Sequence, residues 1–231
     1  MGSIGSRLQE VKGRIERACR AAGRDENSVT LLAVSKTFDA PAVRQAHAAG
    51  QRRFGENYVQ EALSKITALA DLRAQVEWHL IGPLQSNKTR PVAEAFDWVH
   101  SVDRLKVAER LAAQRPPGLP PLQLCLQVNV SGEASKNGVA VGDAPALAAA
   151  VAALPREKVR LRGLMAIPEP APEREAQRAP HRALRELLQA INAQQGLALD
   201  TLSMGMSADL EAAVQEGATL VRVGTAIFGS R

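Results

Sequence analysis

One lysine in this sequence stands where a lysine can act as a nucleophile. The run Leu31-Leu32-Ala33-Val34-Ser35-Lys36-Thr37 reads as a short buried strand that carries Lys36 out beyond its C-terminal end. A lysine amine forms a Schiff base with a carbonyl compound only when it is neutral, which requires desolvation or neighbouring positive charge. Far along the chain, Ser203-Met204-Gly205-Met206-Ser207 and Arg222-Val223-Gly224-Thr225 offer the parts of an anion grip. These parts are backbone N–H groups freed by glycine, the hydroxyls of Ser207 and Thr225, and a helix N-terminus whose dipole favours negative charge. The combination asks for a phosphorylated carbonyl compound, with Lys36 bonding the carbonyl and Arg222 supplying positive charge. Taken singly, each residue has a plainer reading: Lys36 as a surface lysine, His79 as a satisfied core histidine, Asn57 as a turn closer, Ser207 as a helix N-cap. The chemistry depends on a fold that brings them to one place.

The elements that would do so follow from hydrophobic periodicity. Ile4, Leu8, Val11, Ile15 and Ala18 recur at helical spacing and predict an amphipathic helix over about 3–22, ended by Gly23. After it, strands at 31–34, 52–55, 76–81, 96–102, 122–130, 159–166, 197–203 and 219–223 alternate with helices at 40–48, 56–70, 86–94, 103–114, 143–153, 174–194 and 207–216. A βα repeat demands a parallel sheet, and eight units are the number at which such a sheet closes. A doubly wound sheet is the competitor, but no GxGxxG follows the first strand. The expected fold is therefore α/β, a single (β/α)8 TIM-type barrel over residues 1–231 preceded by an N-terminal helix.

In such a barrel the strand C-termini share one mouth. Lys36, Asn57, His79, Ser101, Asn129, Met165, Ser203 and Arg222 would gather there, and closure would make the first and eighth strands neighbours. Of two proline-rich connectors, 115–121 runs from helix to strand and reads as a stiff spacer on the opposite face. The other, 168–172, follows a strand and would rim the mouth.

Composition excludes some alternatives. The 29 Lys and Arg against 24 Asp and Glu are interleaved, and aromatics make up only 3% of residues, so neither a nucleic-acid patch nor a stacking surface emerges. The modest positive balance suits a small anion. Cys19 and Cys125 fit no paired or metal-binding spacing and read as reduced, in keeping with a cytoplasmic setting. No apolar segment of spanning length occurs, so no membrane association is expected.

Five blocks together resemble a known family. Ala33-Val34-Ser35-Lys36-Thr37, Phe54-Gly55-Glu56-Asn57-Tyr58, Trp78 through Lys88 (WHLIGPLQSNK), Ser203 through Ser207 and Arg222 through Gly229 (RVGTAIFG) are similar to the YggS/PROSC family of pyridoxal 5′-phosphate homeostasis proteins. The resemblance implies a barrel like the N-terminal domain of alanine racemase, with pyridoxal 5′-phosphate held as an internal aldimine. It implies Lys36 as the aldimine lysine, Arg222 as the arginine facing the pyridine nitrogen, and Ser207, Gly224 and Thr225 as phosphate ligands. Asn57 and Met204 become pocket-wall residues, and His79 a further candidate.

An arginine against the pyridine nitrogen disfavours its protonation and weakens the ring as an electron sink. Racemisation also needs an acid-base group on the second face of the substrate, which racemase-like enzymes take from a tyrosine of an added domain. The sole tyrosine here is Tyr58. The expectation is a monomeric protein that binds, buffers or delivers the cofactor to pyridoxal-dependent apoenzymes, without established catalysis. A racemase of low or specialised activity and a cofactor-free aldolase-type barrel are the alternatives.

Overall fold

The structure is a computed structural model describing residues 2–133 and 137–229. Met1, Ala134 to Lys136, Ser230 and Arg231, which the domain expected over 1–231 includes, lie outside the described residues. Nine strands appear among the described residues: β1 (Thr30–Val34), β2 (Arg53–Glu56), β3 (Glu77–Leu80), β4 (Trp98–Val102), β5 (Leu122–Asn129), β6 (Val139–Ala140), β7 (Val159–Met165), β8 (Thr201–Ser203) and β9 (Leu220–Val223). The helices are α1 (Ile4–Ala21), α2 (Ala40–Ala48), α3 (Val59–Ala68), α4 (Thr89–Ala95), α5 (Leu105–Gln114), α6 (Ala144–Ala152), α7 (Arg174–Gln195), α8 (Leu210–Gln215) and α9 (Thr225–Phe228). The strands are paired in parallel in the order β4-β3-β2-β1-β9-β8-β7-β5, and β4 also pairs with β5, so the sheet closes on itself with eight staves. Two-residue β6 joins only the outer end of β5. The expected barrel and its leading helix are both present.

Side-chain alternation divides the apolar residues into two bodies. Leu31, Ala33, Trp78, Leu80, Val99, Val221 and Val223 point outward into the large core between sheet and helices. Leu32, Val34, Ile81 and Leu220 form a separate small cluster inside the barrel. The rest of the interior is polar in part, because His79, His100, Ser203 and Arg222 are buried at alternating, inward positions of their strands. Cys19 and Cys125 are both free and buried, and burial pushes the Cys125 thiol up to about 12, so it stays protonated and unreactive.

Several boundaries differ from the periodicity. Glu56 does not open a helix; it ends β2, fully buried, and α3 starts at Val59. The predicted strand 197–203 shrinks to 201–203, because Asn192 on α7 holds both the N–H and the C=O of Leu199 at 2.9 Å, groups a strand would give to its neighbour. Helix α8 begins at 210 rather than 207, with Asp209 and not Ser207 at the N-cap.

Helix α1 lies across α2, α8 and α9, the helices at the seam where the sheet closes. Arg7 donates from Nε to Ile227 O at 2.7 Å and from Nη2 to Phe228 O at 3.2 Å, satisfying the last carbonyls of α9. Arg14 meets Glu211 of α8 in a bidentate pair. On the opposite face the 115–121 connector is folded around a buried Arg115. Its guanidinium donates to Ala93 O (2.6 Å), Phe96 O (2.8 Å) and twice to Pro120 O (2.9 and 2.6 Å). Arg115→Met would strand these carbonyls, and we expect a loss of about 2–4 kcal/mol in urea unfolding with ligand binding by the folded protein unchanged.

Candidate functional site

The pairing of β1 with β9 sets the geometry of the mouth. Thr30 stands opposite Leu220, Leu32 opposite Arg222 and Ala33 opposite Val223, so the chain leaves both strands side by side. Between them opens a cavity of about 670 Å³, within the range of small-molecule sites. Lys36, Asn57, Ser207, Arg222, Gly224 and Thr225 all line it. Six of the eight residues proposed from sequence are thus brought together.

His79 and Met204 do not line the cavity. Met204 is fully buried in the outer core, and His79 lies deeper in the barrel. The alternate residue Met206 faces the cavity instead, as do Phe38, Ile81 and Ile167. Ile167 immediately precedes the proline connector expected to rim the mouth, and it is 43% exposed. The two-residue step from Met204 to Met206 was available in the sequence, but only the backbone path tells which of the two turns inward.

Lys36 is exposed to the cavity one residue beyond a buried serine. Its two neighbours are clamped. Buried Lys65 of α3 donates to Ser35 O at 2.6 Å and to both oxygens of Glu56 at 2.8 and 3.0 Å, while Ser35 Oγ donates to Glu56 at 2.6 Å. Glu61 pairs with Lys65 at 2.6 Å and accepts the N–H of Thr37 at 2.5 Å. Burial raises the Glu56 carboxyl above its ordinary value, opposed by Lys65 and by the Ser35 hydrogen bond. Thr37 takes φ of +67°, a conformation costing a β-branched residue on the order of 1–3 kcal/mol. The clamp therefore holds a strained turn that aims Lys36 at the cavity.

Arg222 is 3% exposed and held from behind. Nη1 donates to Ser203 O at 2.6 Å and Ser203 Oγ at 2.8 Å, and Nη2 donates to Ala166 O at 2.8 Å. Of its five N–H groups this leaves the Nε–H and one Nη2–H toward the cavity. Burial lowers its pKa to about 10, with Asp209 pulling the other way, so the guanidinium remains a cation near neutral pH.

The two glycine-bearing segments meet at the cavity, which Met206, Ser207, Gly224 and Thr225 line. Gly205 has φ of +91°, and a Cβ there would stand 2.5 Å from Ala213 Cβ, so the turn after β8 needs glycine. A Cβ on Gly224 would lie 3.0 Å from Val34 O, where the β1 and β9 exits touch. Asp209 fixes the first segment: Oδ1 accepts the Met206 N–H at 2.7 Å and Oδ2 meets His181 Nε2 of α7 at 2.9 Å. Burial alone would raise the Asp209 pKa, but these two partners outweigh it and leave it lowered. Phe38 stacks on Phe228 with ring centroids 5.1 Å apart, tying the turn after Lys36 to α9. Neither Asp209 nor Lys65 was singled out from sequence, since ion-pair partners distant in the chain leave no local pattern.

Residues 7–231 match the alanine racemase N-terminal domain. The whole chain is 65% identical to a pyridoxal phosphate homeostasis protein of Pseudomonas aeruginosa, covering 97% of it, and 50% identical to that of Escherichia coli, covering 98%. Among solved structures, PipY of Synechococcus elongatus with PLP bound is 40% identical, with a TM-score of 0.86 over 98% of this chain and all of that one. Alanine racemase of Corynebacterium glutamicum shares the fold at 18% identity and a TM-score of 0.64, over 95% of this chain and 60% of that one. With a barrel of this closure and relatives of this identity along its full length, the chain belongs to the pyridoxal phosphate homeostasis protein family, built on the alanine racemase N-terminal domain.

Proposed function

We propose that this chain binds pyridoxal 5′-phosphate reversibly in the mouth cavity, using Lys36 as a covalent tether, and so buffers the cofactor and hands it to pyridoxal-dependent apoenzymes. The observation that carries this reading is the convergence of Lys36, Arg222, Ser207, Gly224 and Thr225 on one cavity. The residues fit the cofactor's chemistry: an amine for an aldehyde, hydroxyls and a glycine backbone for a phosphate, a guanidinium for the ring edge. When bound, the cofactor supplies an aldehyde carbon that a neutral amine attacks with loss of water. The names of the relatives in P. aeruginosa and E. coli, and PLP bound to the S. elongatus protein, support the same reading.

The chain's own residues divide the work. Ser207 and Thr225 offer hydroxyls to an anion, and the Gly224 backbone can approach it without a side chain in the way. Arg222 brings a fixed cation into the cavity floor and so disfavours a proton on any ring nitrogen set against it, which suits holding a ligand better than stabilising a carbanion. Lys65, Glu56 and Glu61 orient Lys36 through the backbone on either side of it. One chain supplies every one of these groups, and we take the monomer as the binding unit, which sedimentation of the loaded protein checks.

Purified protein mixed with pyridoxal 5′-phosphate should turn yellow, and Lys36→Ala should stay colourless; a persistent band in that variant removes Lys36 from the tether role. Incubation of the loaded protein with single-enantiomer amino acids in D2O should give no α-deuteration at an ordinary enzymatic rate, and rapid exchange would favour the racemase instead. A pyridoxal-dependent apoenzyme should gain activity on incubation with the loaded chain. Thr37→Gly should stabilise the fold by about 1 kcal/mol in urea melts by relieving the positive φ, while loosening cofactor retention.

A further inference from the structure

The polar groups inside the barrel are joined end to end. Arg222 Nη1 donates to Ser203 Oγ at 2.8 Å; Ser203 Oγ lies 2.8 Å from His100 Nδ1; His100 Nε2 lies 2.9 Å from His79 Nδ1; and His79 Nε2 lies 3.3 Å from Glu77 Oε1. The chain of contacts runs from the cavity floor on β9 to the first residue of β3, at the far end of the barrel. There Glu77 is 42% exposed on its side chain and meets Arg53 at 3.2 Å. Ser203, His100 and His79 are each at most 1% exposed and so are shielded from bulk water. The Trp98 ring walls the column, stacked on His79 at 5.3 Å and 8°, with the Arg162 guanidinium 5.0 Å from its ring centroid.

The two ends decide the direction of every hydrogen between them. Arginine can only donate and an ionised carboxylate can only accept. If Ser203 takes the Arg222 N–H on a lone pair and donates its own O–H to His100 Nδ1, then His100 carries its hydrogen on Nε2 and gives it to His79 Nδ1. His79 in turn carries its hydrogen on Nε2, facing the Glu77 carboxylate. The opposite order, with hydrogens on both Nδ1 atoms, sets the bare lone pair of His79 Nε2 against the Glu77 oxygen, which is repulsive. His79 Nε2 has no hydrogen-bond partner of full geometry among the described residues, so its 3.3 Å contact with the Glu77 carboxylate is a charge contact, and that contact sets the favoured tautomer. Burial lowers the pKa of both imidazoles, that of His100 well below its ordinary value, so both are neutral at pH 7 as the one-way order requires. The nearby His79 and Arg53 hold the Glu77 carboxyl down to about 2 against the effect of burial, so the accepting end is ionised.

We infer that Ser203, His100 and His79 form a one-way hydrogen-bonded column, oriented by the Glu77 carboxylate at the far end of the barrel, that positions Arg222 in the cavity floor. The column makes these four positioning residues, none of which needs to touch the ligand. It explains why His79, chosen from sequence as a site residue, is conspicuously polar and yet does not line the cavity. A carboxylate at one end and a guanidinium at the other polarise each bond in the same sense, which strengthens the series over isolated pairs. For the cofactor, the consequence rests on the function proposed above: the column fixes the guanidinium before the ligand arrives and keeps its remaining N–H groups turned to the cavity.

Two measurements test this. In full-length 15N-labelled protein without cofactor at pH 7, long-range 1H–15N correlations of the imidazole rings should show His79 and His100 neutral, both with hydrogen on Nε2. Hydrogen on Nδ1 of either ring, or an imidazolium pattern, overturns the column whatever the protein binds. Ser203→Ala, nearly the same size, cuts the column at its upper end and leaves Arg222 its bonds to the Ser203 and Ala166 carbonyls. It should weaken pyridoxal 5′-phosphate binding roughly tenfold in an absorbance titration and shift the band of the bound ligand, while Ser203→Thr, which keeps the hydroxyl, restores both. Wild-type affinity and spectrum in Ser203→Ala would overturn the positioning role. A wild-type protein that takes up no cofactor would instead defeat the proposed function, and the ring spectra would still judge the column.

Discussion

Parallel pairing between the first and last strands of the sheet is the constraint from which the site follows. Lys36 and Arg222 are 186 residues apart in the chain, and no local propensity relates them. The register that sets Leu32 against Arg222 and Ala33 against Val223 delivers both exits to one rim, and the Gly224 backbone passes within contact of the Val34 carbonyl. A slip of one residue would turn Arg222 outward into the apolar core and Val223 toward the cavity, since successive side chains face opposite sides. Helix α1 locks this seam from outside through Arg7 and Arg14, which ties the leading helix to the geometry of the mouth.

Buried charge is handled in two ways around the same cavity. Lys65 is matched by Glu56 and Glu61, an ion cluster whose purpose in the architecture is to hold the backbone on both sides of Lys36. Such a cluster recovers its desolvation cost only when its hydrogen bonds are complete, and here each carboxylate also takes a hydroxyl or an amide. Arg222 is held by neutral oxygens instead, so no carboxylate bonds its guanidinium where it lines the cavity. The contrast separates a cation matched by carboxylates from one held only by neutral oxygens at the cavity.

Much of the fold was legible because burial and secondary structure leave local marks. The α2 boundaries match residue for residue, capped by Asp39 with Pro41 in the first turn, and each of the eight staves overlaps a predicted strand. The errors share a cause. Glu56 opened the predicted helix at 56–70, and nothing nearby announced Lys65 as its buried partner. The Leu197–Asp200 run looked like strand, but Asn192 took its backbone groups. Helix α8 starts after Asp209 and not at Ser207, and the Asp209 carboxylate is bound to Met206 and His181.

The sequence by itself determined the repeat, the parallel sheet that a repeat requires, and the residue types able to bind an aldehyde and a phosphate. Lys36, Asn57, Ser207, Arg222, Gly224 and Thr225 were legible as a set because each sits at or just beyond a strand end, and strand ends can be read from periodicity. Tertiary structure alone decided which of Met204 and Met206 faces the cavity, that His79 turns into the barrel to meet His100, and that Thr37 is strained to aim its neighbour. These outcomes depend on closure of the sheet, which brings strands far apart in sequence within hydrogen-bonding distance. Periodicity tells which residues are buried, whereas only the closed barrel tells what they are buried against.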